Sequence, residues 1–231
     1  MNSWDEMKFW NTGEWQVIQE HLDQLDDIHC SYNPNRENLF AALDATPFNK
    51  VKVAMIGQDP YPNKIHATGI AFSIPSSVID TDWPPTLINI FKEYCSDLHL
   101  PTPTSGDLTP WTEQGVLLWN STPTCETGRP GSHRSWPEWP FLTEEMVKEL
   151  SKKGIVFVLL GAAAKSFAQY IDQTKNDIIY TSHPSPLGSK RSSNPFLGSR
   201  VFSTINDKLL SRELVPIEWR LSGTPLQGVY K

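Results

Sequence analysis

Short runs of hydrophobic residues recur along the chain, and glycine, asparagine or histidine bounds them. Four runs have the length and the β-branched content of buried strands. They lie at 51–56, 116–119, 155–160 and 178–181. Apolar positions at helical spacing predict helices near 14–26, 36–45, 85–98, 142–152, 162–171 and 199–210.

Strand and helix therefore alternate from about residue 51 onwards, which is typical of βαβ units with helices on both faces of a parallel sheet. The chain has 231 residues, enough for one such domain without disulfide support. We predict an α/β fold in three layers, α/β/α, around a central four-stranded parallel sheet. A single domain would span 1–231, with an acidic helical segment of about 1–50 packed on it.

Composition narrows the functional classes. No apolar run approaches the roughly 20 residues of a membrane-spanning helix, and the first residues lack the basic and apolar regions of a signal peptide. We expect no membrane partner and a cytoplasmic location, or a nuclear one in a eukaryote. The 3 cysteines contain no CxxC pair, which favours a reducing compartment and gives no thiolate zinc site.

The charge is unevenly distributed. Residues 1–50 account for the whole formal net charge of −6, and the remainder of the chain is balanced. Segment 183–212 has a local basic surplus, because only Asp207 opposes Lys190, Arg191, Arg200, Lys208 and Arg212. The negative net charge therefore does not exclude a polyanionic partner.

Polar residues or glycine turns follow all four strand runs, where a parallel sheet binds its ligands. Asp59, Asn120, the Gly161-Ala162 turn and His183 stand at these ends. A carboxylate there could hold a water, ligate a metal or stabilise a developing cation, and a histidine could stabilise an oxyanion or shuttle a proton. An acid that caps its own turn and a structural histidine are the alternatives.

A metal site has little support from the sequence. Asp59, His66, His133 and His183 could be brought together, but HxH, HExxH and paired-thiolate patterns are absent. Ser185 lies between two prolines and outside any GxSxG elbow, and neither phosphate-binding glycine pattern occurs. We expect no metal and no cofactor.

Stiff loops that carry hydroxyls and backbone amides suit the binding of successive phosphates. Candidates are Pro84-Pro85-Thr86, Pro184-Ser185-Pro186 and the Gly161-Ala162 turn. Leu187, beside a basic stretch, is a candidate wedge into a base stack, with a core leucine as the alternative. Phe72 could stack on a base, with core packing as its alternative.

Two unusual motifs, Gly57-Gln58-Asp59-Pro60-Tyr61 and His183-Pro184-Ser185-Pro186-Leu187, make the chain resemble the family 1 uracil-DNA glycosylases. Shorter matches extend the resemblance over about residues 36–219. They include Gly69-Ile70-Ala71-Phe72-Ser73, Pro84-Pro85-Thr86-Leu87, Gly115-Val116-Leu117-Leu118-Trp119-Asn120, Ser132-His133 and the segment 200–206.

The resemblance implies a monofunctional glycosylase that flips deoxyuridine out of single- or double-stranded DNA and hydrolyses its N-glycosidic bond. Asp59 would position the water and stabilise the oxocarbenium-like sugar, and His183 would hydrogen-bond uracil O2. Four residues would bind the base: Gln58, Tyr61, Phe72 and Asn120. Tyr61 would exclude the methyl group of thymine.

For the DNA strand, the resemblance implies that Leu187 fills the gap left by the flipped nucleotide. The phosphates would meet Pro84, Pro85, Thr86, Gly161, Ala162 and Ser185. The resemblance also implies a monomer that proteinaceous uracil-glycosylase inhibitors can bind. A DNA-binding scaffold without activity and a glycosylase of broader substrate range are the alternative functions.

Overall fold

A four-stranded parallel sheet lies at the centre of the computed structural model, which describes residues 3–190 and 193–221. The strands in chain order are β1 (Tyr32–Asn33), β2 (Val53–Gly57), β3 (Val116–Asn120), β4 (Cys125–Glu126), β5 (Val156–Leu160) and β6 (Asp177–Thr181). The order across the main sheet is β3-β2-β5-β6, with every pair parallel. The short strands β1 and β4 form a separate antiparallel pair. The four predicted strands are therefore confirmed.

Seven α-helices occur in the described residues. They are α1 (Glu14–Asp27), α2 (Ala41–Ala45), α3 (Pro85–Leu98), α4 (Thr109–Thr112), α5 (Glu138–Ser151), α6 (Gly161–Lys165) and α7 (Val201–Ser211). Short 3-10 helices cover Trp4–Glu6, Lys8–Asn11, Arg36–Asn38, Phe48–Lys50, Asp80–Asp82 and Ser166–Tyr170. No helix of the described ranges is long and apolar enough to cross a membrane.

Both faces of the sheet are buried, because successive side chains of each central strand enter opposite hydrophobic clusters. In β5, Phe157 and Leu159 belong to one cluster, whereas Val156 and Val158 belong to the other. Helices α1, α2, α5 and α6 contribute to the first cluster, and α3, α4 and α7 to the second. The three-layer α/β/α prediction is confirmed.

The acidic segment before residue 50 packs on one face of this sheet. Helix α1 buries Ile18 and Leu22 in the first cluster, while four of its acidic residues are exposed: Glu20, Asp23, Asp26 and Asp27. Arg36 pairs with Asp23 at 2.6 Å and with Asp26 at 3.2 Å, and all three side chains are exposed. The excess negative charge therefore forms a solvated helical face.

Three helix predictions differ from the structure in their bounds. Helix α5 begins at Glu138 rather than at residue 142. Pro140 lies in its first turn, where proline is tolerated because the N–H groups of that turn have no partner within the helix. The segment 36–45 is split into a 3-10 turn and α2, and the segment 162–171 into α6 and a 3-10 helix. The β1–β4 pair was not predicted at all.

The basic surplus of segment 183–212 is mostly engaged within the fold. Lys208 of α7 and Arg212, the residue that follows this helix, both pair with Asp177 of β6, at 3.1 Å and 2.7 Å. Arg200 lies 3.7 Å from Asp97 of α3. These basic side chains connect α7 to neighbouring elements. The number of bases in the segment therefore overstates the positive charge that is free to contact a polyanion.

Phe157 provides a test of the central packing, since its side chain is fully buried in β5. We expect Phe157→Ala to lower the free energy of unfolding by about 3–5 kcal/mol, because it removes apolar contacts and leaves a cavity. Urea denaturation measures the change. Phe141→Ala, at a more exposed position on α5, serves as the control and should cost much less. Equal losses in the two variants would contradict this description of the core.

Candidate active site

A cleft of about 370 Å³ lies at the carboxyl edge of the parallel sheet. Its walls are Gln58, Asp59, Pro60, Tyr61, Pro62, Phe72, Thr86, Pro130, His183, Ser185 and Leu187. Both long motifs of the sequence therefore meet in one depression. The strand ends are responsible, because β2 leads into the first motif and β6 into the second.

The loop after β2 is held by the segment after β3. Thr122 donates its N–H to the carbonyl of Gln58 at 2.8 Å, and Ser121 donates to the carbonyl of Gly57 at 3.3 Å. From the other side, the buried Asn33 donates its side-chain amide to the carbonyl of Pro62 at 2.8 Å. The loop is fixed by hydrogen bonds along its backbone, so its side chains are positioned before any ligand binds.

Asp59 projects from this loop with only 7% of its side chain exposed. Its Oδ1 accepts hydrogen bonds from the Gln58 amide and from Arg134 Nη2, the latter at 2.9 Å. Burial raises the pKa of the Asp59 carboxyl above its ordinary value, while Arg134, a backbone hydrogen bond from Gly131 and the Gln58 amide limit that rise. These donors come from residue 58 and from a loop some seventy residues away, so Asp59 is not an acid that merely caps its own turn.

Asn120 ends β3 directly opposite Gly57 in the sheet register. A Cβ on Gly57 would lie 2.7 Å from the Phe72 ring and 3.0 Å from Asn120 Oδ1. The glycine therefore lets the ring and the amide approach the same point. Within the described part of the chain, no hydrogen bond engages the Asn120 amide, although the residue is 8% exposed. Trp119 belongs to the opposite cluster and donates to Thr143 at 2.9 Å, so it does not enter the cleft.

Phe72 is both a core residue and a wall of the cleft. Its φ of +68° is uncommon for a bulky side chain and costs conformational energy. The Tyr61 hydroxyl donates to the Phe72 carbonyl at 2.9 Å. This bond connects the Asp59 loop to the strained residue and fixes both aromatic rings.

His183 lies two residues after β6 and its ring is 6.0 Å from that of Phe72. Ser185 donates its N–H to His183 Nδ1 at 3.1 Å, so the neutral ring carries its hydrogen on Nε2. Burial lowers the pKa of His183 to about 4, with the nearby Arg134 charge acting in the same direction. The imidazole is therefore a neutral hydrogen-bond donor at physiological pH.

The loop that carries His183 is anchored from α3. Asn89 donates its amide to the carbonyl of Pro184 at 2.9 Å and to Ser189 Oγ at 3.3 Å. Farther along, Ser182 donates its N–H to the carbonyl of Asn194 at 2.8 Å. Arg191 of the candidate basic stretch lies outside the described residues.

The candidate DNA-contact residues fall into three groups. Thr86, Ser185 and Leu187 line the cleft itself. Gly161 and Ala162 line a neighbouring depression of about 410 Å³ that shares His183 with the cleft. Pro84 and Pro85 stand at the start of α3, the first buried and the second exposed, and neither lines the cleft.

Leu187 is 81% exposed. The alternative of a core leucine is therefore wrong. An apolar side chain of this size at the mouth of a polar cleft has no packing role in the protein alone.

The other histidines do not form a metal site. His133 is buried, bonds Thr124 Oγ1 through Nδ1 at 2.8 Å and stacks on Trp136 at 3.9 Å. Burial lowers its pKa to about 4. Among residues 3–190 and 193–221, no group of three or more His, Cys, Asp or Glu side chains could hold a metal ion. His133 thus has a structural role.

Sequence reasoning missed Arg134, which forms the ion pair with Asp59, and Pro130, which lines the cleft. Both lie in the loop between β4 and α5. An isolated arginine in a loop has no periodicity, and its partner lies far away in the sequence. The only available signal was its position next to the Ser132-His133 match.

Comparison with known proteins yields consistent relatives. The family model of the uracil DNA glycosylase superfamily matches residues 43–210. The "Uracil-DNA glycosylase" of Xanthomonas campestris pv. campestris is 41% identical over 217 residues, which cover 90% of this chain and 87% of that protein. The one from Xanthomonas euvesicatoria pv. vesicatoria is 44% identical with the same coverage.

Solved structures agree with these relatives. The crystal structure of mimivirus uracil-DNA glycosylase matches with a TM-score of 0.78 at 27% identity, covering 91% of this chain and 87% of that chain. A variant of mimivirus UNG in complex with UGI matches with a TM-score of 0.82 at 29% identity, covering 91% and 84%.

The two histidines whose pKa is lowered to about 4, His133 and His183, predict how stability depends on pH. Between about pH 6.5 and 4, the unfolded chain protonates His133 and His183 while the folded protein keeps them neutral, so the free energy of unfolding should fall as the pH falls. His183→Gln should reduce this slope by up to about 1.4 kcal/mol per pH unit. Urea denaturation at a series of pH values measures it, with His99→Gln at an exposed position as control. An unchanged slope in His183→Gln would contradict the neutral buried ring.

Proposed function

The chain belongs to the uracil DNA glycosylase superfamily, and from this premise we propose that the cleft at the carboxyl edge of its sheet is where uracil is excised. The protein is a monofunctional DNA repair glycosylase, which hydrolyses the N-glycosidic bond of deoxyuridine and leaves an abasic site in the first step of base excision repair. The observation that carries the proposal is the meeting of Asp59, Phe72 and His183 in one cleft with the Asn120 amide beside it.

Asp59 acts on the sugar. As the nucleotide is extruded, its anomeric carbon comes over the carboxylate, which holds the attacking water and stabilises the positive charge that develops on the sugar. The low exposure of the side chain supports this role, because an anion shielded from water interacts more strongly with a nearby cation.

His183 acts on the leaving base. Its Nε2–H donates to uracil O2, where negative charge develops as the glycosidic bond breaks. A neutral donor suits this role, and both the Ser185 hydrogen bond to Nδ1 and the low pKa keep the ring neutral with its hydrogen on Nε2.

Four residues recognise the base. The Asn120 amide reads the Watson–Crick edge of uracil, the Phe72 ring stacks on the base, and Gln58 lines the pocket. Tyr61 excludes the methyl group of thymine by steric overlap. Its hydroxyl is tethered to the Phe72 carbonyl, which supports the role because a fixed ring excludes a methyl group better than a mobile one.

The DNA strand contacts the rim of the cleft. Thr86 and Ser185 offer hydroxyls to phosphates, with Pro84 and Pro85 stiffening the first loop and the Gly161-Ala162 turn offering backbone N–H groups. Leu187 fills the gap left by the flipped nucleotide. We further propose that the protein acts as a cytoplasmic monomer, on single- and double-stranded DNA, and binds UGI as the similar mimivirus UNG variant does.

Uracil release tests this function directly. In the presence of a chelator, the protein should release uracil from a single-site deoxyuridine oligonucleotide and nothing from the matched thymidine strand. Asp59→Asn should lower the rate by about a hundredfold or more, measured by strand scission of the abasic product. Asp44→Asn, the same change at an exposed position on α2, is the control.

Each outcome has a distinct meaning. Full activity in Asp59→Asn would remove the assigned role of the carboxylate. DNA binding without uracil release by the wild-type protein would favour a non-enzymatic scaffold. Release of thymine would favour a glycosylase of broader range and count against exclusion by Tyr61.

Leu187→Ala tests the wedge. We expect kcat/KM to fall about tenfold or more on duplex DNA and much less on single strands, because only a duplex has a stack to separate and a gap to fill. Leu210→Ala, at a leucine of α7 that is 57% exposed, is the control and should change neither. Equal losses on the two substrates would refute the wedge.

A further inference from the structure

Arg134 lies against the carboxylate to which the chemistry is assigned. Its Nη2 is 2.9 Å from Asp59 Oδ1, yet 49% of the arginine side chain is exposed, against 7% for the aspartate. The guanidinium therefore spans the boundary between the buried acid and the surrounding water. About half of the arginine side chain therefore remains accessible.

The local backbone is shaped to hold this guanidinium. Arg134 donates its N–H to the carbonyl of Gly131 at 3.2 Å, which closes a turn under its own side chain. A Cβ on Gly131 would lie 2.7 Å from both Cζ and Nε of Arg134, and the glycine has a φ of +74°. The positive φ favours glycine at this turn, and the guanidinium lies directly over it.

The ion pair conflicts with the reaction. Asp59 Oδ1 accepts from both Gln58 and Arg134, so the guanidinium occupies one acceptor position of the carboxylate that is to hold the water. A guanidinium beside the carboxylate also opposes the positive charge that develops on the sugar. Arg134 therefore favours the resting anion but disfavours the transition state.

DNA supplies a stronger partner for Arg134. Phosphate oxygens match the planar guanidinium and accept two parallel hydrogen bonds from it. Pro130, in the same loop as Arg134, lines the cleft, so a DNA strand whose nucleotide enters the cleft brings its phosphates close to this loop. Transfer to a phosphate would leave Asp59 free for the water.

We propose that Arg134 is a positioning residue that changes partners, holding Asp59 in the free protein and passing to a backbone phosphate of the uracil-containing strand when DNA binds. The inference rests on the proposed function, since it concerns the same carboxylate. It adds a residue outside both long motifs and assigns it to the step between binding and hydrolysis. Arg134 touches neither uracil nor the attacking water.

Two titratable groups near Arg134 contribute to the test. The positive charge of Arg134 opposes protonation of both the Asp59 carboxyl and the His183 ring. Burial raises the pKa of Cys125, whose thiol lies 3.7 Å from the carbonyl of Pro60, to about 12, and Glu126 is paired with Arg129 of the following loop. The acid limb of the rate therefore reports Asp59 and His183 in the presence or absence of Arg134.

The test compares Arg134→Gln and Arg134→Lys with the wild-type protein. Arg129→Gln is the matched control, because Arg129 lies in the same loop, is 71% exposed and pairs with Glu126 instead of Asp59. Uracil release from a deoxyuridine duplex is measured against pH, both as kcat/KM and as the single-turnover rate with enzyme saturating. The salt dependence of kcat/KM is measured between about 50 and 200 mM.

We expect Arg134→Gln to change the pH profile of the free enzyme but not that of the DNA-bound enzyme. The acid limb of kcat/KM, which reports the free enzyme, should move to higher pH because Asp59 and His183 both lose the neighbouring cation. The acid limb of the single-turnover rate should not move, and its plateau should stay within about threefold of the wild type, because Arg134 has already left Asp59 in the complex. The slope of log kcat/KM against log salt concentration should become shallower by the equivalent of about one counterion. Arg134→Lys should restore the wild-type slope.

A different pattern would overturn the inference. If Arg134→Gln lowers the saturated single-turnover rate tenfold or more with an unchanged salt slope, Arg134 remains on Asp59 during hydrolysis. If Arg129→Gln gives the same shifts, they arise from the net charge of the loop and not from the contact between Arg134 and Asp59. A wild-type protein that releases no uracil overturns the proposed function, and this inference with it. If the wild-type protein releases uracil but the Arg134 variants do not show the expected pattern, only the inference is overturned.

Discussion

The in-register pairing of β2 with β3 is the constraint on which the rest of the site depends. It places Gly57 opposite Asn120, and the missing side chain of that glycine admits the Phe72 ring to the same point. A slip of one residue would turn every side chain of β2 to the other face of the sheet. The amide would then lie beside a different residue, and the loop that carries Asp59 would begin from the wrong face. Core packing and site geometry are therefore specified by the same hydrogen bonds.

Two opposite electrostatic environments lie within this cleft. On one side, Asp59 is buried but surrounded by donors, so burial and hydrogen bonding oppose each other at its carboxyl. On the other, His183 is half-buried with its Nδ1 occupied by a backbone N–H, so desolvation and hydrogen bonding both favour the neutral ring. A carboxylate held by donors and a neutral imidazole thus lie in one small volume. The arrangement needs no external group to set either protonation state.

The sequence predicted the sheet well, because buried parallel strands are continuous apolar runs, and it placed the polar residues that follow the strands at the edge where the cleft lies. It predicted boundaries less well where proline occupies a first helical turn, as Pro140 does in α5. It could not detect the β1–β4 pair, since two-residue strands carry no periodicity. Arg134 was missed for a related reason. Its importance rests on its contact with Asp59, which lies 75 positions away in the sequence, and no local pattern encodes such a contact. The basic surplus near the carboxyl end was misread because Asp177, which pairs with two of its members, lies just outside that segment.

The exposure of Leu187 has a consequence for how this surface can evolve. A large apolar side chain in water makes the free protein less soluble and contributes nothing to its folding. A polar residue at this position would improve solubility and leave the core intact. Under the proposed wedge role, selection for solubility and selection for repair therefore act in opposite directions on one side chain.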